Sequence, residues 1–247
     1  MRTIVISDLH NRVDWVEKAL DKLKPYDKVI FLGDYFDDFG ATKKDTENTA
    51  LWLKQSLEHQ DREHLMGTHD LYYRFPKNSF LMVSGNSKSK AIVVSKILTP
   101  NDWVKVKFFI LEQNFLLSHA GVHLSLIHDF LGDKPVPLTI QELVDLVIKP
   151  ATDKALIWAE KGSSDSWLEA GFSRRGIQPF GGIIFLDWND EFSPIPNVNQ
   201  IVGHTETYEP LMEQGINSIN FNIDTKNKHI GILENGIFTI IETNTLI

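Results

Sequence analysis

The chain has 247 residues, enough for one large domain, and 42% of them are hydrophobic, so the composition excludes a disordered protein. No apolar run approaches the ~20 residues that span a bilayer, and we expect neither a membrane segment nor a signal peptide. The chain has no cysteine, which excludes disulfide and thiolate chemistry and favours a cytoplasmic location. Its formal net charge of −8 disfavours nucleic acid as a partner without excluding a local basic pocket, because binding needs basic residues that displace counterions from phosphates.

The first third of the chain alternates between short apolar runs and helical patterns. We predict strands at residues 3–7, 28–33 and 64–67, and helices at residues 15–23 and 50–57. This alternation, with short links between the elements, favours parallel strand pairing with right-handed crossovers.

The rest of the chain predicts a second group of strands. The apolar runs at 103–111 and 115–122 predict an antiparallel hairpin, and residues 141–148 predict a helix. Residues 150–198 have poor periodicity, and we expect a cap-like insert that covers one end of the sheets. Four late strands are predicted to begin at residues 199, 218, 229 and 236. The economical interpretation of residues 1–247 is a single α/β domain with two sheets.

Polar residues follow the predicted strands at the ends where α/β sheets bind their ligands. They are Asp8 and His10 after the first strand, Asp34, Asp37 and Asp38 after the second, Thr68, His69 and Asp70 after the third, and His119 and His204 after two later strands. Each piece alone is more often a surface turn, a helix cap or a solvated loop. Together, without a cation, these carboxylates would suffer repulsion and desolvation costing several kcal/mol. One or two divalent metals remove that cost, and a mixed Asp and His set without sulfur suits Mn, Fe or Zn better than Ca or copper(I).

Five short motifs occur in order along the chain: DLH at 8–10, GDYFDD at 33–38, GTHD at 67–70, SHAG at 118–121 and GHT at 203–205. This series resembles the calcineurin-like metallophosphoesterases, and its spacing most resembles the serine/threonine phosphoprotein phosphatase branch, which includes bacterial and phage enzymes. The sequence FNIDT at 221–225 resembles a late motif of the same family. The resemblance implies two mixed β-sheets sandwiched between helices, with a dinuclear metal site at the strand ends.

The resemblance also implies two divalent metal ions, with manganese first and iron or zinc as alternatives. The implied ligands are Asp8 and His10 for the first ion, Asp34 as a bridge, and Thr68, His119 and His204 for the second. A hydroxide held between the ions would attack phosphorus in line with the leaving oxygen. His69 would protonate that oxygen, and Asp37 would orient His69. The implied partner is a phosphorylated protein or small molecule.

Position 68 departs from the family pattern, which has Asn there. Asn offers a carbonyl ligand to the metal and an NH2 donor to the phosphate, whereas Thr68 offers a single hydroxyl. We therefore expect weaker affinity for the second metal and slower chemistry. Two interpretations stay open, an active natural variant in which Thr68 ligates through water and an altered enzyme.

A second departure is Asp38, which stands where the family has an Arg that clamps the phosphate. A carboxylate cannot clamp a dianion, so another cation is needed, and the candidates are Arg12, Arg174 and Arg175. A solvated loop is an equally good interpretation of the Arg pair. Many other branches carry a second His where this chain has Glu206, which favours the phosphoprotein phosphatase branch.

Three functions remain as hypotheses from the sequence. The first is a two-metal phosphatase that hydrolyses phosphomonoesters. The second keeps the fold but cleaves a phosphodiester or a dinucleoside polyphosphate, with aromatic residues of the insert stacking on a base. These residues are Trp158, Trp167, Phe172, Phe180 and Trp188, and a small local core is the simpler interpretation of them. The third is a metal-poor binding protein, or a weakly active variant, that retains the fold.

Overall fold

The computed structural model describes residues 1–136 and 139–246. In chain order its strands are β1 Arg2–Ile6, β2 Lys28–Phe31, β3 Arg62–Leu65, β4 Val106–Lys107, β5 Phe109–Glu112, β6 Phe115–Ser118, β7 Asn199–Val202, β8 Leu211–Gly215, β9 Ser218–Asn222, β10 His229–Glu234 and β11 Ile237–Glu242. Its α-helices are α1 Val16–Leu23, α2 Lys43–Ser56, α3 Thr68–Arg74, α4 Lys88–Ile97, α5 Pro100–Val104, α6 Leu124–Leu131, α7 Ile140–Leu143 and α8 Lys149–Glu160. A π-helical turn over Val144–Ile148 joins α7 to α8, and short 3₁₀ turns occupy Ser79–Leu81, Ser166–Leu168, Phe172–Arg174 and Thr243–Thr245.

These strands form two mixed sheets, as the sequence predicts. The first has the order β11-β10-β1-β2-β3-β4 and the second the order β5-β6-β7-β9-β8. The predicted parallel pairing of β1, β2 and β3 is confirmed, because Ile4 lies beside Val29 and Val29 beside Arg62. The four late strands are also confirmed, and β8 is an addition that the sequence did not predict.

The core lies in layers because side chains alternate along each strand. On β1, Val5 packs between the two sheets with Leu117 of β6 and Ile201 of β7. Its neighbours Ile4 and Ile6 belong instead to the larger core that the helices cover. The arrangement is therefore two sheets facing each other, with helices packed on the outside. Among the described residues, no helix is both long and apolar enough to cross a membrane.

Several predicted element boundaries differ from the structure, and in two cases a helix cap decided the outcome. The helix predicted at 50–57 begins at Lys43, because the side chains of Thr42 and Asp45 form a capping box. The strand predicted at 103–111 is wrong at its start. Thr99 and Asp102 form a capping box for helix α5, and this helix extends to Val104. The apolar run after that helix is then divided between the sheets, so the predicted hairpin consists only of β5 and β6.

The irregular part of the predicted insert is shorter than the range 150–198. Helix α8 continues to Glu160, and beyond it the chain forms only short turns up to β7. One of those turns, Ser166–Leu168, buries Trp167 and Leu168 in the main core. The insert as a separate cap remains an interpretation of this segment.

Candidate metal centre

The candidate site lies at the rim where several strands end. Asp8 follows β1, Asp34 follows β2 and Thr68 opens the helix after β3, while His119 follows β6 and His204 follows β7. Parallel strands end at a common edge, so residues that are far apart in the sequence meet there. His10, Asp34 and His204 adopt positive φ angles of +43°, +50° and +68°, and such strained backbone in non-glycine residues is concentrated at functional sites.

Asp34 lies at the centre of two groups of possible metal ligands. Its carboxylate is within 4.8 Å of ligand atoms of His119 and His204 in one group, and of His10 and His69 in the other. Asp34 Oδ2 lies 3.4 Å from His119 Nε2 and 3.8 Å from His10 Nε2. A carboxylate shared by two such groups has the position that a bridging ligand requires.

Backbone carbonyls hold two of these imidazoles in one orientation. His10 Nδ1 lies 3.0 Å from the Phe36 carbonyl oxygen, and His119 Nδ1 lies 2.8 Å from that of Leu32. A neutral imidazole that donates from Nδ1 presents the lone pair of Nε2, which is the arrangement typical of histidine ligands in metal sites. Both Nε2 atoms face Asp34.

His204 supplies a further donor that is not satisfied by the described part of the protein. Its Nδ1 lies 3.2 Å from His119 Nε2, and its buried Nε2 has no hydrogen-bond partner among the described residues. Buried polar nitrogens are normally paired, so this one calls for a ligand. A divalent cation among Asp34, His119 and His204 satisfies the donor set, and these residues fit the metal that the sequence implies.

Asp8 lies beside the same cluster, and its carboxylate is held by backbone and side-chain donors. The backbone N–H of His204 donates to both carboxylate oxygens at 3.1 Å, and the Ser7 hydroxyl donates to Oδ2. Asp8 Oδ1 is 3.9 Å from His119 Nε2. The Asp8 carboxylate is therefore held in one orientation beside the cluster, and its role as a metal ligand stays a prediction.

The electrostatics of the cluster favour a positive charge at its centre. Burial alone would raise the pKa of Asp34, but the nearby His119, His69 and His10 lower it well below its usual range. Burial would lower the pKa of His119, but Asp34 and Asp8 raise it to about 10. The carboxylates thus attract a proton to the place where a divalent cation would supply the charge.

Thr68 is buried and points to Asp34. Its hydroxyl donates to the Asp34 oxygens at 3.2 and 3.3 Å, and the His69 backbone N–H donates to Asp34 Oδ1 at 2.8 Å. Gly67 allows this approach, because a Cβ there would overlap the Asp34 carboxylate. The hydroxyl therefore lies against the central carboxylate.

His69 lies at the edge of the centre, next to Asp37. Its Nδ1 is buried, has no hydrogen-bond partner among the described residues, and lies 3.8 Å from Asp37 Oδ2. That separation is longer than a hydrogen bond, although catalytic contacts often tighten when the substrate binds. Burial lowers the pKa of His69, but Asp34 and Asp37 raise it above its usual value.

The sequence also matches a family model described as calcineurin-like phosphoesterase, over residues 1–208. The chain belongs to this family. Its members are hydrolases that act on phosphoester bonds, and this chain is such a phosphoesterase.

Solved structures with the same fold include phosphatases of different specificity. A cold-active protein-tyrosine phosphatase of Shewanella sp. is 16% identical, with a TM-score of 0.55 over 98% of this chain and 80% of that one. A protein serine/threonine phosphatase from Saccharomyces cerevisiae is 10% identical, with a TM-score of 0.50 over 98% of this chain and 80% of that one. A proposed diadenosine tetraphosphatase is 13% identical, with a TM-score of 0.50 over 98% and 93%. At these identities the likeness shows the fold alone. A search of curated protein sequences gave no significant match.

The three arginines that were candidate phosphate ligands of this phosphoesterase lie in different surroundings. Arg12 Nε is 3.7 Å from Asp38 Oδ2, so the carboxylate at the position of the family's clamp faces a neighbouring cation. Arg174 pairs with Asp187 at 2.6 Å and donates to the hydroxyl of Thr205, the residue after His204. Arg174 therefore lies beside the centre, whereas Arg175, the residue directly after this turn, is exposed to solvent.

Most aromatic residues of the insert pack against protein. Trp167 is buried in the main core, Phe180 stacks on His123 with 3.8 Å between ring centroids, and Trp188 stacks on Phe192 at 4.1 Å. Phe172 is 65% exposed and Trp158 is 43% exposed. The simpler interpretation, a local core, describes Phe180 and Trp188, whereas Trp167 belongs to the main core, and Phe172 and Trp158 stay exposed.

Two buried carboxylates of the centre received no role in the sequence analysis. Asp224 follows β9, and burial together with the charge of Asp8 raises its pKa well above the usual range. Asp70 accepts the backbone N–H groups of Gly67 and Tyr35 at 2.9 Å, and burial raises its pKa to about 7. Asp70 belongs to the motif GTHD and Asp224 to FNIDT, so their place in these motifs could have indicated that both lie near the centre.

Proposed function

We propose that this phosphoesterase hydrolyses phosphomonoesters, on proteins or small molecules, with two divalent cations. Manganese is the first choice, with iron or zinc as alternatives, because the donors are carboxylates and imidazoles without sulfur. The observation that carries the proposal is Asp34, whose carboxylate is shared by two groups of imidazoles. Two of those imidazoles, His10 and His119, are oriented by backbone carbonyls as metal ligands usually are.

The residues that would hold the cations follow from this arrangement. Asp8, His10 and Asp34 would bind the first, and Asp34, Thr68, His119 and His204 the second. When bound, the pair of cations would activate water as the nucleophile and neutralise charge on the phosphoryl oxygens. Thr68, whose hydroxyl already lies against Asp34, would be the weakest of these ligands.

His69 would move the proton in this reaction. With Nδ1 turned towards Asp37, its Nε2 would be the atom that protonates the leaving oxygen. Arg174, held beside His204 by its contacts to Asp187 and Thr205, is the best placed of the three arginines to bind the phosphate. Arg12 would contribute charge only to the extent that Asp38 leaves its charge uncompensated.

A nucleotide phosphodiester or dinucleoside polyphosphate is the second candidate substrate. The observation that favours it is the exposed ring of Phe172, which lies in the same turn as Arg174. A ring and a guanidinium in one turn suit a base and a phosphate of one ligand.

A substrate panel tests the proposal. Metal-stripped protein is reconstituted with Mn, Fe, Zn or Mg and assayed on 4-nitrophenyl phosphate, a phosphoserine peptide, bis(4-nitrophenyl) phosphate and diadenosine tetraphosphate. We expect manganese-dependent cleavage of the monoesters and a loss of about 10²–10⁴ in rate for His69→Ala on substrates with poor leaving groups. A preference for the diester or the dinucleotide would reject the phosphomonoester and support the second candidate substrate. An absence of hydrolysis with every metal would reject both candidate substrates.

A further inference from the structure

A polar segment that leads into α4 closes over Asp37. The segment runs from Val83 to Lys90 in the first turn of α4, and Gly85 lies against the aspartate. A Cβ at Gly85, where φ is +89°, would approach Asp37 Cβ to 2.9 Å, so the contact depends on a glycine there. The side chain of Asp37 is fully buried as a result.

The buried carboxylate of Asp37 accepts bonds from three side chains. Tyr73 donates its hydroxyl to both oxygens at 2.8 Å, and Lys90 Nζ donates to Oδ1 at 2.8 Å. Asn86 Nδ2 donates to Oδ2 at 2.5 Å. Lys90, with a side chain only 12% exposed, is also fixed by a bond to the Gly85 carbonyl at 3.0 Å. A carboxylate held at so many points has one orientation.

The same side chains also hold His69. Asn86 Nδ2 donates to the His69 backbone carbonyl at 3.1 Å, so one amide contacts both Asp37 and His69. Tyr73 lies four residues after His69 on α3, which places both side chains on the face of the helix that meets Asp37. The oxygen of Asp37 that faces His69 Nδ1, at 3.8 Å, is Oδ2, the one that Asn86 holds.

We infer that Lys90 and Asn86 are positioning residues for the reaction: they fix the Asp37 carboxylate and the His69 backbone so that the His69 ring is held facing the leaving oxygen. The inference rests on the proposed function of His69. Lys90 supplies the positive charge that a buried carboxylate needs, and Asn86 supplies the orientation. Among the described residues, the hydrogen bonds of these two side chains go to Asp37, the His69 carbonyl and the backbone of residues 83–85, and none reaches a proposed metal ligand.

Loss of Lys90 would release the carboxylate that faces His69. We expect kcat of Lys90→Met to fall about 10- to 100-fold on phenyl phosphate, which has a poor leaving group that needs a proton. On 2,4-dinitrophenyl phosphate the fall should be less than about threefold, because that leaving group departs without protonation. KM should change little on either substrate, since the phosphate ligands are untouched. A merely structural role would lower both rates alike.

Matched variants separate positioning from general damage. Lys90→Arg keeps the cation and its donors, and we expect it to retain most of the activity that Lys90→Met loses. Asn86→Ala should show the same dependence on leaving group as Lys90→Met. Lys88→Met removes an exposed lysine from the first turn of the same helix and should behave like the unchanged protein.

A readout without turnover completes the test. Crystal structures of the metal-free protein and of Lys90→Met should show a rotated Asp37 carboxylate and a displaced His69 ring in the variant. Calorimetric titration with Mn should be unchanged, because Lys90 bonds to Asp37 and Gly85 and, in the described part of the chain, to no proposed ligand. An unmoved His69 ring, or equal losses of kcat on the two substrates, would overturn the inference.

His69→Ala, assayed in parallel, separates this inference from the proposed function. If His69→Ala shows the dependence on leaving group and Lys90→Met does not, the positioning role is wrong and the proposed function stands. If His69→Ala shows no such dependence, His69 is not the acid, and the proposed mechanism and the positioning role are both refuted.

Discussion

Replacing Thr68 with Asn tests the ligand assignment at the most unusual position of the centre. The Thr68 hydroxyl lies 3.2 and 3.3 Å from the oxygens of Asp34, so its proton is directed to that carboxylate in this structure. Asn at this position would offer a carbonyl oxygen to the second metal and an NH2 group to the phosphoryl oxygens. A donor aimed at developing charge is worth ~2.7–4 kcal/mol in well-studied sites. Because Thr retains part of that effect, we expect a gain of about 1.4 kcal/mol, or roughly tenfold in kcat.

The assay compares Thr68→Asn with the unchanged protein on 4-nitrophenyl phosphate at saturating Mn. Thr68→Val is the matched control, because it keeps the shape of the side chain and removes the hydroxyl, so its rate should fall below that of the unchanged protein. Mn titration of the same three proteins should rank the weaker site in the order Asn, Thr, Val. An unchanged or lower rate for Thr68→Asn would show that Thr68 is adapted to its position and that it is not a substituted metal ligand.

Three further predictions concern the metals and the core. Calorimetric titration of metal-stripped protein with Mn should show two unequal classes of site, because Thr68 weakens the second, and two equally tight sites would contradict that reason. Asp34→Asn should abolish Mn-dependent hydrolysis more completely than any other change of a single ligand, since among the described residues only Asp34 belongs to both groups of possible ligands; near-normal turnover would exclude a dinuclear centre. His64 is buried with a pKa lowered by burial to about 3, so it must stay neutral in the folded protein while the unfolded chain takes up a proton below about pH 6.5. As the pH falls from 6.5 to 3, the contribution of His64 should therefore lower the free energy of unfolding by about 1.4 kcal/mol per pH unit. Urea denaturation at several pH values should show that the free energy of unfolding depends less on pH for His64→Gln than for the unchanged protein. An identical pH dependence would refute the low pKa of His64.

The sequence by itself determined the elements that carry the centre. Buried strands have a local signature, and a polar residue directly after such a strand reaches the rim in any parallel arrangement. Asp8, Asp34, His119 and His204 could therefore be placed together before the structure was known. The order of the motifs also indicated the family, which the match over residues 1–208 shows.

The tertiary structure alone decided which side chains support that centre. Lys90 reaches Asp37 across 53 residues of sequence, and Arg174 reaches Thr205 across 31, through contacts that depend on how helices and turns pack. No periodicity marks such partners, because an exposed lysine and a buried one look alike in a polar segment. The same holds for β4 and β5, since one apolar run is divided between two sheets only when both sheets have formed around it. Local pattern determines what an element is, and long-range packing determines what its side chains meet.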